Sequence, residues 1–451
     1  MNPIDRRTFL KRSAGAAAVA SVAGPAYGVT GANEQIRVAC AGIRSRGRSH
    51  INEFLKMRKK GVDVVAVCDI DEHVLAARAQ SVEKVRGKKP RAEVDMRKLM
   101  DDKSIDAFSF ATPNHWHALG TIWACQAGKD VYVEKPASWC VREGRKMVEA
   151  ARKYKRIVQV GTQSRSSGGI RSAVSKLYAG LIGDVYMARS LCYKQRDSIR
   201  SRDTGPPPKN VHFDLWLGPA KEQPYHANLV HYNWHWFWDF GNGDVGNQGV
   251  HEVDKARWGL GKKTHPVKVA SMGGRFGYED QGQTPNTQIT TLTYEDGKMM
   301  VIEVRGRATN GEAGEYVGNL FYGSQGYMAG WKEAYTARGG RKVGKPYGNK
   351  AATTQAAGYK FPEVGGPGGS GNHFENFIVA VRSRKVEDLN ADIIEGHLSA
   401  VPFQIGNIAY RLGRTLTFDP KTEKFVGEGA SEANPYLTRD YRKGFEVPEN
   451  V

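Results

Sequence analysis

The chain has 451 residues, 40% of them hydrophobic and 10% aromatic, enough for two domains with real cores, which excludes a disordered or fibrous chain. No apolar run reaches the ~18 residues that a membrane-spanning helix needs. Lys and Arg number 66 against 47 Asp and Glu, a net charge of +19, but the basic residues are scattered and no nucleic-acid motif accompanies them, so neither a nucleic-acid nor a membrane partner is expected.

The first residues read as an address. Arg6-Arg7-Thr8-Phe9-Leu10-Lys11 precedes an Ala-rich run over 13–23, with small residues around Gly24 and Ala26. This resembles a twin-arginine export signal and predicts a periplasmic or otherwise exported protein. Residues 1–30 are therefore set aside from the fold.

From Ile36 the pattern is that of a dinucleotide-binding domain over 36–160. Ile36–Ala41 reads as a buried strand, Gly42-Ile-Arg44-Ser-Arg46-Gly47 as a turn, 49–60 as a helix, and Val62–Cys68 as a second strand ending in Asp69. In that order, a helix N-terminus offers free N–H groups to a pyrophosphate, and the terminal carboxylate accepts ribose hydroxyls. The carboxylate favours NAD, with NADP possible. Arg44 stands where such a turn normally has its middle glycine. A further strand, 105–111, ends in Thr112-Pro-Asn114-His-Trp-His117, and Asp130–Val133 runs into Glu134-Lys135-Pro136. Both loops lie at the carboxyl ends of strands, where ligands bind in such sheets. Cofactor-binding candidates are thus Gly42, Arg44, Arg46, Gly47, Asp69, Thr112, Asn114, His117, Glu134 and Lys135. The five cysteines form no CxxC pair and read as buried apolar side chains, and no metal is expected.

The glycine turn, Thr-Pro-Asn-x-x-His, Glu-Lys-Pro and the stretch Gly241-Asn-Gly-Asp-Val-Gly-Asn247-Gln-Gly-Val-His251-Glu-Val-Asp254 together resemble the glucose–fructose oxidoreductase and inositol dehydrogenase (Gfo/Idh/MocA) family. The resemblance spans about residues 36–425. It implies an α/β fold: an N-terminal Rossmann domain, then a substrate and oligomerisation domain over 161–451 built on a large open, mostly antiparallel sheet. Local patterns agree. Thr287–Tyr294 and Met299–Val304 flank a Glu-Asp-Gly-Lys turn. Val267–Met272 and Asn319–Tyr322 read as further strands. Leu398, Val401, Ile405, Ile408 and Leu412 step as one helix face. Gly-rich 364–371 and basic 338–350 read as loops.

The resemblance also places Lys135 beside the nicotinamide and His251 at the substrate carbinol, as the proton-transferring pair. Many family members have aspartate four residues before the histidine; Asn247 can orient a hydroxyl but cannot take its proton. The stretch His231-Tyr-Asn-Trp234-His235-Trp236-Phe-Trp238, if extended, would align its indoles on one face to stack on a sugar ring. Asn247, Trp234, Trp236, His235 and Arg165 are the substrate-binding candidates, with His115 and His373 secondary. Read together, these residues predict an NAD(P)-dependent oxidoreductase acting on a sugar or polyol hydroxyl. A free nicotinamide pool is not expected outside the cytoplasm, so the cofactor is expected to stay bound. Two alternatives are a glycoside hydrolase using transient oxidation and elimination, and a cofactor-bound sugar-binding protein without turnover. A homodimer or homotetramer is expected.

Overall fold

The computed structural model describes residues 35–331, 333–336 and 371–451. The arginine-pair segment, the basic stretch 338–350 and nearly all of 364–371 lie outside them. No described helix is long and apolar enough to cross a membrane.

The first sheet has six strands, β1 (Ile36–Ala41), β2 (Val62–Cys68), β3 (Arg91–Glu93), β4 (Ala107–Phe110), β5 (Asp130–Val133) and β6 (Val158–Val160), in the order β3-β2-β1-β4-β5-β6. Every pairing is parallel. β4 and β5 are buried at every position, because helices cover both faces of such a sheet. The order reverses between β1 and β4, which opens a crevice beyond their carboxyl ends. The helices that matter here are α1 (Arg46–Lys56), α2 (Glu72–Arg86), α3 (Asn114–Gln126) and α4 (Val141–Lys153). Asp71 caps α2, accepting from the amides of His73 and Val74, and Gly87 ends it in the left-handed region, two devices that each stabilise a helix end by about 1 kcal/mol.

The second sheet has nine strands, ordered β13-β12-β11-β7-β10-β9-β8-β14-β15. β7 is Val185–Cys192, β8 Lys268–Gly274, β9 Thr287–Thr293, β10 Met299–Arg305, β11 Val317–Gly323, β12 Gly326–Ala329, β13 Glu333–Thr336, β14 Leu416–Asp419 and β15 Lys424–Val426. Only the β7–β10 pair is parallel. One face is covered by α5 (Val250–Gly259) and α7 (Ile393–Leu412), which share a core with Val269, Leu292, Met300 and Ile302. On the other face Met272, Ile289 and Met299 are exposed.

The two halves of the sequence do not keep separate cores. Helix α6 (His373–Ser383) returns to the Rossmann domain, where Phe374, Phe377 and Ile378 pack with Val38, Phe54 and Tyr132. The C-terminal residues Phe445, Val447 and Val451 join the core around α3 and α4. The site therefore lies between domains tied together at several points along the chain.

Candidate active site

The floor of the crevice is backbone. Gly42 sits at φ +73°, and a Cβ there would lie 2.6 Å from the Thr112 amide nitrogen; a Cβ on Gly47 would lie 2.1 Å from the Gly42 carbonyl oxygen. Both glycines therefore have a steric reason, one for the tight turn and one for seating α1 against it. Arg44 needs no such freedom: its side chain is exposed and lines the cleft. Asp69 accepts from the amides of Ile43 at 2.8 Å and Asp71 at 3.1 Å, which fixes its carboxylate at the end of β2. Burial pushes its pKa up to about 6. On the β4 side, Thr112 Oγ1 and Asn114 Nδ2 are buried without partners and belong to residues of the cleft wall. Unpaired buried polar atoms are costly, and their presence here, with the glycine cradle and Asp69, fits a dinucleotide.

At the end of β5, Glu134 is buried and central to a network. It accepts from Arg46 Nε at 2.6 Å and from His50 Nε2 at 3.0 Å, while the Ser109 hydroxyl donates to His50 Nδ1 at 2.6 Å. Burial alone would raise the carboxyl; the His50 hydrogen bond and the Arg46 guanidinium hold it well below the usual carboxylate range. Lys135 follows, and its Nζ donates to the Asn247 carbonyl oxygen at 2.7 Å. Burial lowers its pKa, helped by Arg46 and Lys194 and opposed by Glu134. Asn247 lies in a π-helical turn, Val245–Gly249, that leads directly into α5. Wide turns of this kind are frequent at functional sites. His251 stands on the first turn of α5 with Nδ1 unpartnered. Burial first, and then the Lys135 charge, push it well below the ordinary histidine range.

The roof comes from the second half of the chain. The cleft wall includes Leu215, Trp216, His231, Tyr232, Trp234 and His235. This segment is tied down repeatedly: Trp116 Nε1 donates to Leu215 O at 3.1 Å, His115 Nε2 to Trp216 O at 2.9 Å, His212 N to Ile70 O at 2.9 Å and Asn210 Nδ2 to Asp71 Oδ1 at 2.8 Å. His231 lies 3.1 Å from Asp71 Oδ2. Arg442, from the C-terminal tail, donates to Gly218 O at 3.0 Å and to Asp214. Beneath the roof lies a cavity of about 280 Å³, close to the lower end of the ~300–1,000 Å³ of a typical small-molecule site.

The structure gathers Gly42, Arg44, Arg46, Asp69, Thr112, Asn114, His117, Glu134, Lys135, Trp234, His235 and Asn247 around this cleft. Gly47, packed under the turn, and His251, on the first turn of α5, are not part of the cleft wall itself. Three further expectations need correction. The tryptophan stretch is not extended: Asn233–Trp236 is a 3-10 turn, so the indoles form no row, and Trp236 is buried beneath the Arg196 guanidinium, away from the cleft wall. Arg165 pairs with Asp254 at 2.9 Å and Glu395 at 3.1 Å and stacks on Trp258; a buried arginine must be paired, and this one is not part of the cleft wall. His115 and His373 bond to Trp216 O and Val160 O and line no part of the cleft. His117 does line it, but both ring nitrogens face backbone carbonyls, Pro136 O at 2.7 Å and Thr112 O at 2.8 Å. It clamps the two cofactor loops together. Among the described residues, the one histidine–carboxylate group with metal-ligand spacing is His265, His397 and Glu423, away from the cleft. Arg145 bonds both Glu423 oxygens there. Trp216 and Tyr232 were not legible as cleft residues; their only signal was aromatic density.

Residues 36–162 match the family described as an oxidoreductase family with an NAD-binding Rossmann fold, and 194–333 with 342–447 match its C-terminal α/β domain. Among curated proteins, a glycosyl hydrolase family 109 protein of Saccharopolyspora erythraea is 31% identical over 207 residues, 41% of this chain and 44% of that protein. An α-N-acetylgalactosaminidase of Shewanella oneidensis is 30% identical over 122 residues, 26% of each. The match thus spans less than half the length of these relatives. Among solved structures, the WlbA dehydrogenase of Chromobacterium violaceum, in complex with NADH and UDP-GlcNAcA, superposes with a TM-score of 0.62 at 19% identity, covering 86% of this chain and 96% of that one. The myo-inositol dehydrogenase of Lactobacillus casei superposes with a TM-score of 0.56 at 18% identity, covering 85% and 97%. At such identities the likeness is one of fold.

Proposed function

Because the chain belongs to the Gfo/Idh/MocA oxidoreductase family, with its NAD-binding Rossmann domain and C-terminal α/β domain, we propose that it oxidises a secondary hydroxyl of a sugar or polyol using NAD that stays in the cleft, the carbonyl of a second sugar taking back the hydride so that the cofactor is regenerated within the cycle. The observation that carries this reading is the Lys135–Asn247 bond. It joins the end of the cofactor-side strand β5 to the turn that leads into α5, the helix carrying His251, which supports a role for Lys135 and His251 as the proton-transferring pair. NAD, when bound, supplies the acceptor for the electron pair of the carbinol C–H bond. Lys135 holds positive charge beside the hydroxyl oxygen and eases loss of its proton, its own pKa lowered by burial. His251, buried, neutral and unpartnered at Nδ1, is the second member of the pair; burial and the Lys135 charge make it a weak base, so in this reading it orients and relays the proton and does not hold it.

Retention of the cofactor is supported by the roof, held in place over the cleft by its ties to Ile70, Asp71, His115 and Trp116. It also suits an exported protein, which the arginine-pair segment proposes. Met272, Ile289 and Met299 on the open sheet face propose a homodimer or homotetramer through that surface.

A second reading is favoured by the glycosyl hydrolase and galactosaminidase relatives. Oxidation of a ring hydroxyl to a ketone acidifies the neighbouring C–H. Loss of that proton expels the aglycone; water then adds, and the ketone is reduced again, with no net redox change. The test is to mix the purified holoprotein with sugars and with 4-nitrophenyl glycosides in heavy water, without added NAD. Reduction of the bound cofactor by a free sugar supports the first reading. Aglycone release with deuterium at the carbon beside the oxidised one supports the second. Neither result from a cofactor-loaded protein would contradict both.

A further inference from the structure

His235 differs from the other charged and titratable groups at the substrate end of the cleft. Its Nδ1–H donates to Tyr232 O at 2.5 Å. A carbonyl oxygen can only accept, so this partner places the ring proton on Nδ1 and leaves a lone pair on Nε2. The ring is held face to face with Trp234, centroids 3.6 Å apart and planes 19° apart, so it cannot turn over without breaking both contacts. Both residues belong to the cleft wall, and among the described residues the ring bond of His235 is the one at Nδ1, which leaves Nε2 for a ligand in the cleft.

The neighbouring groups are donors or are occupied. Lys135 carries only N–H donors, one of them on Asn247 O. Glu134 is taken by Arg46 and His50, and Asp71 by Asn210, His231 and its own helix cap. Arg196, whose charge also reaches His235, is paired with Asp244. Burial first, and then the Lys135 and Arg196 charges, push the His235 pKa down to about 3; its lone pair is free at any working pH, yet it is a poor proton acceptor.

We propose that His235 is a tautomer-locked hydrogen-bond acceptor that selects substrates bearing a free hydroxyl at the position laid against Nε2, making it a specificity-determining residue distinct from the proton-transferring pair. The proposal rests on the reading that the substrate is a polyhydroxy compound. A buried acceptor facing a deoxy or O-methyl position is left unpaired, and sites built to bond a hydroxyl reject the analogue lacking it by large factors.

The probes are glucose, galactose, N-acetylgalactosamine and myo-inositol, each with its deoxy and O-methyl counterparts, mixed with the holoprotein while reduction of bound cofactor is followed. For a sugar that reacts, removing one particular hydroxyl lowers kcat/KM by at least about 100-fold in the unchanged protein. In His235→Asn, which keeps a donor for Tyr232 O, and in His235→Phe, which keeps the stack, that discrimination falls below about 5-fold, and the loss lies in KM with the pH profile unchanged. Cofactor content after denaturation stays as in the unchanged protein. Equal loss of kcat on every sugar with a shifted pH profile would make His235 a base and overturn the proposal; loss of bound cofactor would assign its partner to the dinucleotide and overturn it equally. Nitrogen-15 spectra of the labelled holoprotein decide independently of turnover: Nε2 stays unprotonated and Nδ1 protonated from about pH 5 to pH 8, and the opposite tautomer contradicts the proposal. Should no sugar react with a cofactor-loaded protein, the substrate reading fails while the spectra still decide the tautomer.

Discussion

The floor and the roof of the cleft are built on different principles. The floor is a property of the parallel sheet: Gly42, Asp69, Thr112 and Lys135 follow the carboxyl ends of strands β1, β2, β4 and β5, with Gly47 in the first turn of α1, so the sheet brings them together by its regular pairing. The roof is assembled at long range. Gly218 approaches Trp116 so closely that a Cβ would fall 2.3 Å from the indole, and Arg442 reaches back over 200 positions to hold Asp214. A floor of backbone amides and glycines binds what all dinucleotides share, whereas a roof of side chains can set what stays bound and what may react beside it.

The largest expected effect is at the seam where floor meets roof. Lys135→Met should reduce turnover by roughly 10²–10⁴-fold while the protein, after denaturation, still releases its full complement of NAD; loss of both would show that Lys135 serves the cofactor instead. Within the floor, Gly47→Ala forces a Cβ onto the Gly42 carbonyl. Displacing the turn should cost about 2–3 kcal/mol, roughly 100-fold in NAD affinity, read by calorimetry on reloaded protein. Within the roof, Arg442→Ala removes the bonds to Gly218 O and Asp214 and should speed cofactor release about 10-fold, for a loss near 1–1.5 kcal/mol, with NAD-dependent chemistry intact. Equal release rates would mean that the tail does not brace the roof.

The smallest effect is a pH dependence. The Asp69 pKa is raised to about 6 by burial, above its unfolded value, so in the empty protein its contribution to stability is present at acid pH and lost as pH rises through about 6. Ribose hydroxyl donors favour the ionised form, so NAD affinity should rise through the same window, by about 3- to 10-fold, and level off above it. Asp69→Asn should flatten this slope and weaken discrimination against NADP.

How much could be read in advance follows the same division. Strands β1, β2, β4 and β5 were legible because both faces of that sheet are covered and the runs are continuously apolar; β3, the polar and largely exposed Arg91–Glu93 at the sheet's edge, was not. The β9–β10 hairpin was legible from its turn. Gly42 and Gly47 were legible because a glycine-bearing turn between a strand and a helix is a short-range pattern, although the atoms that exclude a Cβ at Gly42 come from Ala111 and Thr112. The tryptophan stretch misled: alternate spacing suggests a strand, but tertiary contacts close Asn233–Trp236 into a 3-10 turn. Arg165 misled for a related reason, since its partners Asp254 and Glu395 lie 89 and 230 positions away and only folding unites them. Nothing near Trp216 or Tyr232 in sequence shows that they roof a cleft; their neighbours there arrive from α3 and β2.

The most direct measurement is to purify the folded protein, dialyse it at length, denature it and determine released nicotinamide cofactor by absorbance and mass. Close to one NAD per chain is the result expected of a glycine floor closed by a tied roof. A protein that comes through empty, and that takes up neither NAD nor NADP when offered them, would contradict the assignment of this cleft as a retained-cofactor active site.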